Sequence, residues 1–263
     1  MSSTGPGPGR RSVLSALVAG GALPALAACS GGGKHKHGAS AQAVQAAQAA
    51  AAQPAENGGG GMDVLMIIRH AEKPTGSGAP YGLTADGTQD AHSLTIQGWT
   101  RAGALAGLFD PRDATGAPAA LRTGLTRPTT VAASAAGTGG SNSKRPSETV
   151  TPAAAALGVA LQTPYSVGQE AQLAGWLTGP SGPPGPTLVA WEHSHIPDII
   201  AHLGQVTPKP SSSWPGDRFD IVYVFTRAPG GGWTFTQVPQ LLLAGDSPTA
   251  IRSGARSRPA LRD

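Results

Sequence analysis

Cysteine is all but missing from this 263-residue sequence, which has only Cys29. Ser30-Gly31-Gly32-Gly33 follows it at once and offers nothing to pack against, which argues against a buried structural thiol. Long apolar runs are also missing. The stretch from Val13 to Ala28 is broken by Gly20, Gly21 and Pro24, and is too short and too interrupted to span a membrane. No internal repeat is present. Basic excess is absent where a fold could form. The chain carries a formal +4, but before residue 62 and after residue 246 eight Lys/Arg face two acids. That leaves eleven against thirteen, net −2, for residues 62–246, and removes the case for nucleic acid as their partner. What the chain has in quantity is Gly, 38, and Pro, 24, close to the level of low-complexity sequence, so part of it is expected not to fold.

The candidates for that part are the two ends. In residues 1–29, Arg10-Arg11 precede the short apolar run, the pattern of an export signal. The run closes on Leu26-Ala27-Ala28-Cys29, which resembles the lipobox of bacterial lipoproteins, and the paired arginines resemble a twin-arginine signal. The resemblance implies a lipid attached at Cys29 and a location on the outer face of the cytoplasmic membrane. Residues 30–61 are Gly, Ala and Gln with only Val44 to bury from 41 to 53, and read as a disordered linker. His35 and His37 are flanked by lysines, a poor cation site and a better solvated basic patch. Residues 247–263 read as a disordered basic tail.

Residues 62–246 are long enough for one domain with a sizeable core. They open on Val64-Leu65-Met66-Ile67-Ile68-Arg69-His70-Ala71-Glu72-Lys73-Pro74. Five apolar residues in a row predict a buried strand, ended by an Arg-His pair and a proline. Strand ends are where open α/β sheets keep their chemistry, and this one offers a fixed cation beside an imidazole able to attack an electrophile. A loop, 75–93, leads to a helix from about Thr95 to Phe109 with Trp99, Ala102, Leu105 and Ala106 on one face. A second strand is expected over Thr129–Ser134, then a helix opened by Lys144-Arg145-Pro146, with Arg145 where backbone N–H groups already favour an anion. A short third strand at Val159–Leu161 and a helix beginning near Glu170 follow. Thr187-Leu188-Val189-Ala190-Trp191 then repeats the opening design and stops at His193. After a helix over Ile196–Leu203, Phe219–Thr226 and Trp233–Val238 flank Pro229-Gly230-Gly231-Gly232 as a β-hairpin. Strands alternating with helices predict a three-layer α/β/α sandwich with a mostly parallel sheet and a C-terminal hairpin.

Taken together these residues resemble the histidine phosphatase superfamily, the phosphoglycerate-mutase-like and histidine acid phosphatase group. Arg69-His70-Ala71 stands where the family has Arg-His-Gly or Arg-His-Ala. Leu94 through Ala102 matches its Leu-Thr-x-x-Gly-x-x-Arg-Ala element, Arg145-Pro146-Ser147-Glu148-Thr149 its second arginine with a following threonine, and His193 its second histidine. The match runs from Val64 to Gly204 in the family's order. It implies a metal-independent phosphatase without cofactor, acting on a small phosphorylated substrate. His70 would attack phosphorus to give a phosphohistidine, and Arg69, Arg145 and His193 would hold the oxygens. Two departures leave the proton donor open: Glu192 replaces the usual glycine before the second histidine, and Ser194 the aspartate that follows it in the phytase-like branch. In the mutase-like branch the donor is a glutamate in the segment that here holds Glu170, which makes Glu170 the expected catalytic acid, with Glu192, adjacent to His193, as the competing choice. The duller reading makes His70 a strand-end histidine and Arg69 a partner of Glu72 or Asp63. An alternative function is an inactive phosphate-binding or interaction module of the cell envelope.

Overall fold

The protein is described here by a computed structural model covering residues 62–137 and 141–252. The expected signal with Cys29, the linker 30–61 and the end of the expected tail lie outside the described residues. No helix among the described residues is long and apolar enough to cross a membrane.

Seven strands form one sheet: β1 (Val64–Arg69), β2 (Thr130–Ala133), β3 (Leu161–Gln162), β4 (Thr187–Trp191), β5 (Val206–Thr207), β6 (Ile221–Arg227) and β7 (Trp233–Pro239), in the spatial order β3-β2-β4-β1-β6-β7-β5. β1, β2, β3 and β4 run parallel, while β6 pairs antiparallel with both β1 and β7. β5 pairs with β7, parallel to it. Among the described residues four helices connect the strands: α1 (Ile96–Phe109), α2 (Arg145–Leu157), α3 (Glu170–Thr178) and α4 (Ile196–Ala201).

The pleat of β1 explains why helices lie on both faces. Successive side chains of a strand point to opposite sides. Leu65 and Ile67 join Leu173 and Leu177 of α3 and Ile196 and Ile199 of α4 in one apolar cluster. Met66 and Ile68 join Leu105 and Phe109 of α1 and Val150 of α2 in the other. β4 divides in the same way, with Val189 and Trp191 in the first cluster and Leu188 and Ala190 in the second. Burying each such side chain stabilises by roughly 1.5–3 kcal/mol, so a continuous apolar run is what a strand covered twice requires. The architecture is the three-layer, mostly parallel α/β fold expected from the sequence.

The expected elements differ from the observed ones chiefly at their ends. The third strand is displaced to Leu161–Gln162, and β5 was not expected at all. The tail expected from residue 247 is tied down at its first residues, at Ser247 and Ile251. Ser247 donates its N–H to Asp220 Oδ2 at 2.6 Å, and Ile251, 3 % exposed, joins the cluster under α3 and α4. One apolar residue and bonds between the segment's backbone and the side chains of Asp220, Arg218 and Gln237 hold a stretch whose composition alone looks unfoldable.

One local feature brings the start of α1 to the site. Thr95 caps α1, its hydroxyl accepting from Gly98 N, and its own N–H donates to Glu72 O just beyond β1. A Cβ on Gly98 would lie 2.5 Å from Glu72 O, so only glycine lets the helix start meet the strand end. At α2, Gly158 (φ +70°) closes the helix in the left-handed conformation.

Candidate active site

β1 and β4 are neighbours and parallel, so their C-terminal ends, with Arg69-His70 and Glu192-His193, emerge at the same edge of the sheet. The N–H of His70 donates to Trp191 O at 3.0 Å, which ties the two ends together. α2 begins at the same place: the N–H of Ala71 donates to Thr149 Oγ1 at 2.8 Å, and that hydroxyl donates to Arg145 O at 2.6 Å. One buried threonine thus fixes the first motif to the second arginine.

His70 is 2 % exposed. Its Nδ1 lies 2.7 Å from Ala71 O, and since a carbonyl only accepts, Nδ1 carries the proton and Nε2 keeps its lone pair. Burial, then the positive charge of Arg69, lower its pKa well below the usual histidine value, and Arg145 and His193 push the same way. The ring is therefore a neutral nitrogen base surrounded by cationic groups.

Arg69, 1 % exposed, is gripped at one nitrogen only. Nη1 donates to Gly216 O at 2.7 Å and Arg218 O at 3.2 Å, with Pro215 O at 3.4 Å, and Phe219 lies across the guanidinium at 3.8 Å. Its Nε and Nη2 are buried and have no hydrogen-bond partner among the described residues, and the same holds for His193 Nδ1. Burial lowers the Arg69 pKa to about 10 against the opposing pull of Asp217, Glu72 and Glu192. His193 is lowered to about 4, by burial first and then by Arg69, Lys73 and His195. Native proteins rarely leave buried donors unpaired, because each costs about 1–3 kcal/mol. Donors left unpaired beside a lone-pair imidazole are the groups that a tetrahedral oxyanion would satisfy.

Arg145 is held by Ser93 O (3.3 Å), Ser143 Oγ (3.3 Å) and Ala91 O (2.5 Å). The loop that presents these carbonyls is fixed in turn by Glu148, which accepts from Ser93 Oγ and Leu94 N. Burial lowers the pKa of Arg145, while Glu192, Glu148 and Asp90 oppose it. Lys73 belongs to the same field: burial, then Arg145 and Arg69, lower its pKa, and Glu192 opposes.

The structure thus brings Arg69, His70, Arg145 and His193 together and adds Lys73, whose position three residues after His70 was a signal available in the sequence. It separates the two candidate acids. Glu170 is 7 % exposed, and its Oε1 accepts from Trp191 Nε1 and Gly168 N, both at 3.0 Å, with His195 Nδ1 at 3.4 Å. Glu192 is the carboxylate whose charge acts on Arg69, Arg145 and Lys73 together. Phe219 and the 215–218 carbonyls had no sequence signal, since three of the contacts are backbone.

Beneath the site lies a buried ion group. Arg101 Nη2 meets Glu72 Oε1 at 2.8 Å and Asp246 Oδ1 at 2.7 Å. Asp246 also accepts from Leu242 N and Leu243 N. The segment after β7 is thereby anchored to the residue two beyond His70.

No protein-family model matches the sequence, and comparison with curated proteins finds no match. Among solved structures, similar chain paths occur in "Mycobacterial hydrolase 2" (12 % identity, TM-score 0.36, 72 % of this chain and 93 % of that one) and "Mycobacterial hydrolase 1" (13 %, 0.37, 66 % and 96 %). A mycobacterial glucosyl-3-phosphoglycerate phosphatase complexed with VO3 is similar at 12 % identity and TM-score 0.37, over 66 % of this chain and 97 % of that one. These likenesses are too distant in sequence and superposition to bear on activity.

Proposed function

We propose that the protein is an exported phosphomonoester hydrolase of the histidine phosphatase type, working through a phosphohistidine on His70. The observation that carries this is the pair of unpartnered buried donors, Arg69 Nε and Nη2, together with the unpartnered ring nitrogen His193 Nδ1, in the electrostatic field of an imidazole whose Nε2 is free to attack.

In the first step the Nε2 lone pair forms a bond to phosphorus while the ester P–O bond breaks. The Ala71 carbonyl stabilises the positive charge that develops on the ring. Arg69, Arg145, Lys73 and His193 hold the three non-bridging oxygens, whose charge must be met by fixed donors through the transition state. The leaving alkoxide takes a proton from a carboxyl, and Glu192, next to His193 in the chain and within the field of Arg69, Arg145 and Lys73, is the choice over Glu170, whose Oε1 is taken by Trp191 and Gly168. Water then attacks the phosphohistidine, gives its proton to the same carboxylate, and releases phosphate and His70. These steps use no metal and no cofactor.

Export rests on residues 1–29 alone: Arg10-Arg11, the short apolar run and Leu26-Ala27-Ala28-Cys29 support a lipid anchor at Cys29, outside the cytoplasmic membrane. The engagement of Glu170 with Trp191, Gly168 and His195 favours a second reading, a phosphate-binding module without turnover, provided that Glu192 does not supply the proton. Hydrolysis of p-nitrophenyl phosphate separates the two. Turnover that disappears in His70→Ala is expected. Equal rates in the two proteins overturn the proposal, and orthophosphate binding without turnover selects the binding module.

A further inference from the structure

We infer that Phe219 is a positioning residue for both reacting-site groups, its ring and the carbonyls before it forming a clamp that sets the direction of the Arg69 guanidinium and packs beside His70. This deepens the hydrolase reading and rests on it.

The inference starts from how few of the guanidinium's hydrogen bonds are made. A free arginine side chain has several rotatable bonds, and a guanidinium fixed only through Nη1 could still turn about that contact. Here the turn is blocked from the face. Phe219 lies 3.8 Å from the guanidinium carbon, a stacking distance, and its ring centroid is 6.2 Å from that of His70 at 54°. With Nη1 held by the carbonyls of Pro215, Gly216 and Arg218 and the plane held by the ring, the edge formed by Nε and Nη2 is what remains for a ligand. That edge is the one through which arginine binds a carboxylate or phosphate with two parallel hydrogen bonds.

The clamp is itself anchored at both ends. Trp214, 4 % exposed, stacks on Tyr223 of β6 at 4.4 Å and donates from Nε1 to Arg218 O at 2.8 Å. Asp220, 5 % exposed, accepts from Arg218 Nε at 2.7 Å and from Ser247 N. Its carbonyl accepts from Gln240 N at 2.7 Å. A short segment fixed at each end and directing three carbonyls at one nitrogen is a rigid support rather than a cover that swings. Phe219 also keeps water from one side of His70. The charged groups around that imidazole are Arg69 and Arg145, with the titratable His193 beside them and Lys73, Glu192, Glu72 and Asp217 acting on the two guanidinium groups in turn.

Two substitutions separate the ring from its bulk: Phe219→Leu removes the aromatic face, and Phe219→Tyr keeps it. In the full chain, Phe219→Leu is expected to lower kcat/KM about tenfold, the scale of a slightly misdirected group. It should weaken orthophosphate binding, measured calorimetrically, in the same sense. Because the ring also dehydrates His70, the acid limb of kcat/KM should move to higher pH in Phe219→Leu and stay in place in Phe219→Tyr, which a merely structural loss would not produce. Thermal unfolding of each variant shows whether it folds. Wild-type rates and phosphate affinity in a folded Phe219→Leu overturn the inference alone, as does a loss of equal size at every pH that Phe219→Tyr shares. A wild-type chain that neither turns over a phosphomonoester nor binds orthophosphate overturns the hydrolase reading and this inference with it.

Discussion

Replacing Thr149 by valine removes one oxygen and leaves the side-chain shape almost unchanged, so its effect reads directly on the bonds that oxygen makes. Thr149 is fully buried. Its Oγ1 accepts from Ala71 N at 2.8 Å and donates to Arg145 O at 2.6 Å. In the valine variant the buried Ala71 N–H has no acceptor, a loss of about 1–3 kcal/mol. The Arg145 carbonyl loses less, because the helix ladder supplies it with a second donor, and about 0.5 kcal/mol is a fair allowance. The sum, about 1.5–3.5 kcal/mol, corresponds to a fall in Tm of roughly 3–14 °C for a domain of this size. Activity should suffer beyond stability. Ala71 is held by Thr149 at its N–H and by His70 Nδ1 at its carbonyl, and the carbonyl bond is what keeps Nε2 unprotonated. A loosened Ala71 should cost about tenfold in kcat under conditions where the variant is fully folded. Urea unfolding and p-nitrophenyl phosphate turnover measure the two effects, with Thr149→Ser, which keeps the hydroxyl, as the control. A valine variant with the wild-type urea midpoint, or a serine variant equally damaged, would refute the reasoning.

Two glycines of α1 should respond in opposite directions. Gly98→Ala places a Cβ 2.5 Å from Glu72 O and should destabilise by about 1–3 kcal/mol and impair turnover, whereas Gly103→Ala meets nothing within 4 Å and should stabilise by about 0.5–1 kcal/mol. Equal unfolding midpoints would contradict the close contact. For Asp246, burial favours the neutral acid, but the bonds from Arg101, Leu242 and Leu243 outweigh it and hold its pKa below the usual value. Its contribution is therefore complete above the ordinary aspartate pKa and is lost as pH falls through the lowered one. Asp246→Asn should cost about 2 kcal/mol at neutral pH, less than a fully broken buried pair because Glu72 still meets Arg101, and the gap to wild type should close in strong acid. A gap that persists unchanged there would show that the charge is not the cause. Glu192→Gln should lower kcat about 100-fold on an alkyl phosphate and less on p-nitrophenyl phosphate, whose leaving group needs little protonation, while Glu170→Gln should spare the leaving-group dependence. The reverse pattern would return the acid role to Glu170.

The parts legible in the sequence are those governed by local pattern. β1 and β4 announce themselves as apolar runs of five and four residues because both of their faces are covered, and each stops at the residue pair that faces the site. The start of α2 was readable from Arg145-Pro146, since proline suits the first turn. What was not legible depends on partners distant in the chain. Arg101 sits on the buried face of α1, where a charge is not expected, because Glu72 and Asp246 neutralise it from 29 and 145 residues away. β5 is two residues long and exists through pairing with β7. The burial of Ile251 and the carbonyl grip on Arg69 belong to the same class, as neither has a periodicity to detect. Between the two glutamates the sequence favoured Glu170, by its place in the family's order. Only the coordinates show one bonded to Trp191 and the other acting on the cations.

The central claim is that His70 itself carries the phosphoryl group. Mixing the protein with a 32P-labelled phosphomonoester, quenching in alkaline denaturant within the first turnover and mapping the labelled peptide tests it most directly. The account predicts a base-stable, acid-labile label on the peptide containing His70, absent from His70→Ala. Steady turnover with no protein-bound label, or a label on any other residue, would contradict it.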